Sequence, residues 1–277
     1  MKLIIGCGYL GRRVAALWRE QGLRVFATTR GRGEELRGMG LEPICCDVLD
    51  AESCKSLPQV DTVLYCVGFD RGGGAGMREV YVRGLENVLS CLPKPKRFLH
   101  VSSTSVYGQT DGEEVDEYSA TEPVEENGRI VLDAEQALRR HCPEAVFLRF
   151  AGIYGPGRCI GIQTVSKGLP VEGDPERWLN LIHVEDGAAA ILAAEERAPA
   201  GATYNVCDGH PVRRRDYFEH AARALNLPVP VFTNAAPVMS TSPNRRISSR
   251  KLQEELDFSP RYPSCKEGLQ ELTTNQG

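Results

Sequence analysis

The sequence predicts an α/β fold: a doubly wound parallel sheet with a small C-terminal lobe. Three observations predict it. Short apolar runs alternate with helix-patterned segments as far as Phe150. A glycine-rich turn joins the first run to the first helix. From Asp208 onward the pattern changes to Pro-rich helix and loop.

Lys2-Leu3-Ile4-Ile5 is a strand-sized run, and Arg12 to Glu20 sets Val14, Leu17 and Trp18 on one helical face. Arg24–Thr28, Glu42–Cys46 and Thr62–Cys66 read as the next three strands. Arg78 to Leu92 is patterned as a helix, with Val82, Leu85, Val88 and Leu89 at core spacing. Arg97–Val101 is a fifth strand, Val124 to Cys142 carries a helix, and Val146–Phe150 is a sixth strand. Val184 to Arg197 is helical and Thr203–Val206 is a further strand. Such alternation implies right-handed crossovers and a ligand site beyond the carboxyl ends of the strands. Gly72-Gly73-Gly74-Ala75-Gly76 reads as a mobile loop.

The bulk numbers narrow the function. The 277 residues carry a formal net charge of -4, and Lys and Arg are dispersed. That argues against nucleic acid or an anionic membrane as the partner and leaves a small-molecule substrate. No apolar run is long enough to cross a bilayer, and the one after Met1 is too short for a signal peptide, so a cytoplasmic protein is expected. The 10 cysteines form no C-x-x-C pair and have no metal-ligand spacing with His, so buried free thiols and no metal are expected.

Gly6-Cys7-Gly8-Tyr9-Leu10-Gly11 fits G-x-G-x-x-G, follows a strand and opens a helix. In that context it marks a Rossmann-type dinucleotide site. Gly6 permits the turn, Gly8 lets backbone approach a pyrophosphate, and Gly11 lets helix pack on strand. The helix N-terminus at Tyr9 and Leu10 then faces the phosphates. Residues 1–152 plus about 181–207 form the expected dinucleotide domain. Residues about 153–180 plus 208–277 form the expected substrate lobe. The second strand ends Thr28-Thr29-Arg30 and offers no carboxylate until Glu34. An NAD site places Asp or Glu there for the ribose hydroxyls, whereas Arg30 suits a 2′-phosphate, so NADP is expected over NAD. Cys66, with Val67 and Gly68 after it, ends the fourth strand near the expected nicotinamide ribose.

At this point the chain resembles the extended short-chain dehydrogenase/reductase family of epimerases and dehydratases. Cys46-Asp47-Val48 is similar to its adenine-binding segment, which implies contacts from Asp47 and Val48. Ser102 to Gly108 resembles S-S-x-x-V-Y-G, and Leu148 to Arg158 resembles L-R-x-x-x-x-Y-G-P-G-R. Ile182-His183-Val184-Glu185-Asp186 resembles I-H-V-x-D, and Arg245-Arg246 through Pro260 resembles the C-terminal R-R…L-G-W-x-P. The resemblance implies substrate contacts from Arg158, Arg245 and Arg246, and a homodimer through Arg78–Leu92 and Ile130–Arg140.

The family's chemistry uses a Tyr that moves a proton, a Lys four residues later and a Ser that polarises the substrate oxygen. Ser103 takes the serine position. Gly128 and Glu135 keep the register of Y-G-x-x-K-x-x-x-E, but Asn127 stands at the Tyr position and Val131 at the Lys position. Asn has no titratable proton and Val no polar group. In V-N-x-x-G the family's Asn is matched by Tyr81. Tyr107, Tyr118, Tyr154 and His183 are the candidates for a replacement relay, with Tyr107 nearest the expected cofactor. Two functions follow: an NADP-dependent oxidoreductase with a non-standard relay on a small polar or nucleotide-linked substrate, or a non-catalytic NADP(H)-binding sensor.

Overall fold

The protein, seen here in a computed structural model, is described over residues 1–233 and 243–274. Seven strands form one parallel sheet: β1 (Lys2–Ile5), β2 (Val25–Thr29), β3 (Glu42–Cys45), β4 (Thr62–Tyr65), β5 (Arg97–Ser103), β6 (Val146–Phe150) and β7 (Thr203–Val206). Their order across the sheet is β7-β6-β5-β4-β1-β2-β3. The strands read as unbroken apolar runs because both faces are buried. Ile4, Leu64, Leu99 and Leu148 pack into the cluster under helices Tyr9–Glu20 and Val184–Arg197. Leu3, Ile5, Val63, Tyr65, Phe98 and Phe147 pack into the cluster on the opposite face.

The order fixes where a ligand sits. The chain runs from β1 outward to β3, then returns to place β4 on the other side of β1. The crevice at that reversal opens at the carboxyl ends of β1 and β4, where Gly6 and Cys66 begin their loops.

A separate apolar cluster joins Tyr154, Leu181, Tyr217, Phe218 and Leu269 in the C-terminal part. That part holds helices Arg214–Ala224 and Cys265–Thr274. It also holds short strands that the sequence reading of helix and loop did not include. Val212–Arg213 pairs with Trp178–Leu179, Phe232–Thr233 with Val171–Glu172, and Arg246–Ile247 with Glu114–Val115. Ladders of two residues are too short to show a period. The segment read as one helix from Arg78 begins instead with a π-turn, Glu79–Arg83, before the α-helix Gly84–Cys91. No helix among the described residues is long and apolar enough to cross a membrane.

Candidate functional site

The three glycines of the first turn have three different physical reasons. Gly6 has φ +93°, and a Cβ there would lie 2.6 Å from the carbonyl of Cys66 and the backbone of Val67. At Gly11 a Cβ would lie 3.0 Å from the Gly6 carbonyl and 3.2 Å from Cys66 Sγ, so the helix packs directly on the strand ends. At Gly8 a Cβ would meet nothing within 4 Å, because this residue faces an open cleft. Gly8 also caps helix Tyr9–Glu20 with no side-chain hydrogen bond, and no acidic residue lies in the first turn. The helix therefore presents free N–H groups and its positive end to the cleft. A pyrophosphate fits that cradle.

The cleft has a volume of about 1330 Å³ and runs both ways from this turn. On one side it reaches Thr29, Arg30, Arg32, Asp47 and Val48. Thr29 Oγ1 accepts from the N–H groups of Gly31 (3.2 Å) and Arg32 (2.8 Å), which turns the chain sharply after β2. The first carboxylates beyond it are engaged elsewhere: Glu34 pairs with Arg37, and Glu35 with Arg12 at 2.7 Å. Arg30 and Arg32 are exposed and have no carboxylate partner among the described residues. Asp47 Oδ1 accepts from Leu49 N at 3.0 Å, closing its own turn at the cleft edge.

On the other side the cleft is lined by Cys66, Val67, Gly68, Ser103, Asn127 and Val131. Cys66 Sγ donates to the Gly6 carbonyl at 3.1 Å, and burial pushes its thiol far above the ordinary range. It is a packing group. Ser103 Oγ accepts from Ser105 N at 3.1 Å and caps a short 3₁₀ turn, so its own proton remains available to donate. Helix Glu126–His141 approaches this turn very closely, since a Cβ on Gly128 would lie 2.3 Å from the Ser105 carbonyl. That approach puts Asn127, which is exposed, and Val131, which is buried, into the same cleft as Ser103.

Residues 3–207 match the NAD dependent epimerase/dehydratase family. The chain belongs to that family. It is 29% identical over 271 residues to protein YeeZ of Escherichia coli K12, covering 94% of this chain and 95% of the relative. It is 26% identical to the mouse short-chain dehydrogenase/reductase family 42E member 1, over 81% of this chain and 67% of that protein. The structure of a functionally unknown conserved protein from Silicibacter pomeroyi DSS is similar, with TM-score 0.80 and 30% identity over 99% of this chain and 98% of that one. The chain is thus of the NAD dependent epimerase/dehydratase type, with an open cleft at its glycine turn.

Within this family member the expected relay candidates lie away from the cleft. Tyr107 was expected nearest the cofactor, but it is fully buried. Its hydroxyl donates to Asn205 Oδ1 at 2.8 Å and accepts from Arg149 Nη1 at 3.0 Å. The short turn after Ser103 directs its side chain away from the cleft and into this buried network. Tyr154 is buried in the C-terminal cluster with its hydroxyl directed to the Ser264 carbonyl at 3.4 Å. Tyr118 is 82% exposed beside Lys251 and does not fold over the site. His183 caps helix Val184–Arg197 and lies 3.2 Å from Glu271. The one Tyr-x-x-x-Lys in the chain, Tyr262 to Lys266, is no substitute, since Tyr262 packs against His183 and neither residue lines the cleft.

The arginines divide. Tyr9 donates to the Pro156 carbonyl at 3.1 Å and lies under Arg158, which is exposed and lines the cleft. Arg245 Nη2 donates to the Thr104 carbonyl at 2.7 Å, directly after Ser103, while its Nε is buried without a partner among the described residues. Arg246 is turned aside, donating to the Gly112 carbonyl at 2.9 Å and resting over Trp178. Sequence reasoning missed Arg177. Its Nε is likewise buried and unpartnered, and it lies close enough to Arg245 that, after burial, it helps lower that guanidinium's pKa to about 10. No local pattern marks Arg177, because the pairing joins two distant segments.

Proposed function

We propose that this chain is an NADP-dependent oxidoreductase of the epimerase/dehydratase family. Its substrate would be a small polar or nucleotide-linked molecule, and its proton relay is not the Tyr–Lys pair. The observation that carries the cofactor choice is the pair of free cations Arg30 and Arg32 in a cleft whose nearest following carboxylates, Glu34 and Glu35, are tied to other arginines. Two planar guanidiniums suit a 2′-phosphate, and the missing acid removes the group that would repel it. Gly6, Gly8, Tyr9, Leu10 and Gly11 hold the pyrophosphate in this reading. Asp47 and Val48 border the adenine, and Cys66, Val67 and Gly68 border the nicotinamide half.

A bound nicotinamide supplies or accepts a hydride. The chain's own task is to orient the substrate and manage one proton. Ser103 donates its free hydroxyl proton as a hydrogen bond to the substrate oxygen. Asn127 is exposed, so water reaches the position where a Tyr would stand and delivers the proton. Arg158, exposed at the cleft, favours an anionic group on the substrate. The free thiols fit a cytoplasmic setting.

Calorimetric titration tests the cofactor assignment. NADPH binds at least about tenfold more tightly than NADH, and R30A/R32A removes the difference. Equal affinities in the unaltered protein would overturn it. Oxidation of NADPH across a panel of carbonyl compounds and nucleotide sugars tests the enzyme. Asn127 and Val131 favour one second reading, a redox sensor. It requires different affinities for NADP⁺ and NADPH and no turnover on the same panel.

A further inference from the structure

Tyr81 occupies a position that the chemistry above leaves unused. It stands in the π-turn Glu79–Arg83, a local widening of the helix that recurs at functional sites. Its ring packs against the apolar cluster that contains Val131, and it lines the same cleft as Ser103 and Val131. Its hydroxyl oxygen accepts from Phe69 N at 3.2 Å, in the loop that follows Cys66. No acceptor for its own proton exists among the described residues.

Other tyrosines of the chain differ. The hydroxyls of Tyr9, Tyr107, Tyr154 and Tyr204 all donate to protein oxygens. Tyr65 has no partner, but its ring is stacked with Phe98 and His100 and is 2% exposed. Tyr81 alone of these combines a partly open side chain with an uncommitted donor. Burial raises its pKa, so the proton stays on the oxygen at neutral pH.

The Lys that Val131 replaces would have supplied a donor at this wall. Val131 cannot, and Tyr81 packs against the cluster that contains it and lines the same cleft. We propose that Tyr81 anchors the nicotinamide-side ribose of the bound dinucleotide by donating its phenolic proton to a ribose hydroxyl, in place of the missing Lys. The inference rests on the reading of the cleft as an NADP site.

The test compares the unaltered protein with Y81F by calorimetry, using NADPH and 2′,5′-ADP, which lacks the nicotinamide half. Y81F weakens NADPH binding about 5- to 10-fold and leaves 2′,5′-ADP unchanged. Unchanged NADPH affinity, or an equal loss for both ligands, overturns the proposal. Y81F also leaves Phe69 N without its acceptor, so a rescue variant separates anchoring from a disturbed loop. In Y81F/V131K a donor returns to the wall and NADPH affinity recovers, with no recovery counting against the anchor. Should a buried Lys prevent folding, V131Q supplies a donor without the charge. If the unaltered protein prefers NADH, the NADP reading fails by itself, and the same comparison with NADH and ADP decides the role of Tyr81. No binding of either dinucleotide overturns both.

Discussion

Arg149 lies bidentate on Glu135, with Nε donating to Oε1 at 3.0 Å and Nη2 to Oε2 at 2.8 Å. The pair is buried, and it is extended on both sides. Ser102 Oγ donates to Glu135 Oε1 at 2.5 Å, and Arg149 Nη1 donates to the Tyr107 hydroxyl. Glu135 belongs to helix Glu126–His141 and Arg149 to β6, so the pair locks that helix onto the sheet. The same helix carries Asn127 and Val131 into the cleft. The polar network thus holds in place the helix face that carries Asn127 and Val131.

Removing one partner of a buried pair leaves the other charge uncompensated. E135A therefore costs about 3–5 kcal/mol of stability, read from urea denaturation. Burial works against the Glu135 carboxylate, but the Arg149 and Ser102 hydrogen bonds prevail and hold its pKa below the ordinary 4.5. A depressed native pKa contributes stability that is present above the unfolded value and lost as pH falls through the native one. Below about pH 4.5 stability falls, and E135Q flattens that part of the pH profile. An identical acid slope in E135Q would remove Glu135 as its source.

The glycine turn separates folding from binding. G6A meets backbone at 2.6 Å and requires φ +93° of a residue with a side chain, so its cost appears as lost stability. G8A meets nothing in the protein, so its melting temperature is unchanged while its methyl group occupies the space a pyrophosphate needs. Loss of NADPH binding in G8A without loss of stability is the expected pair of results. Unaltered affinity in G8A would place the phosphates elsewhere.

Asp208 gives stability a second pH dependence, of opposite sign. It is 2% exposed, its Oδ1 accepts from His210 N at 2.9 Å, and its Oδ2 has no partner among the described residues. Burial pushes its carboxyl from the ordinary 3.8 up to about 8, and the like charges of Asp186 and Glu267 add to the effect. A raised native pKa means a contribution that is complete below 3.8 and is lost as pH rises through about 8. The melting temperature therefore falls progressively between about pH 4 and pH 8, and D208N removes that fall. The same slope in D208N would assign it to other groups.

The sequence made the sheet legible because its strands are buried on both faces and separated by helices with a clear period. Val146–Phe150 and Thr203–Val206 are strands over the predicted residues, and Val184–Arg197 is a helix over the predicted residues. The glycine turn was legible because its three positions have distinct backbone requirements. The direction in which a side chain points was not. Ser103 and Tyr107 are four residues apart in one motif, yet the 3₁₀ turn Thr104–Val106 sends one to the cleft and the other to the interior. Arg177 was invisible for a different reason, since its significance comes from Arg245, on another segment of the chain.

That divergence gives the sharpest test of where the chemistry lies. Y107F removes a hydroxyl that donates to Asn205 and accepts from Arg149, both buried. It leaves those groups unpaired and costs about 1–3 kcal/mol of stability. Since Tyr107 does not line the cleft, NADPH affinity is unaffected. S103A removes a partly exposed hydroxyl whose structural duty is one cap to Ser105 N, at a cost of about 0.5–2 kcal/mol. On any substrate that supports turnover, S103A lowers kcat/KM about 100-fold or more, the scale of a lost oxyanion donor. Y107F lowers it little. The reverse ranking would return the chemistry to Tyr107 and require its side chain to swing out of the polar interior.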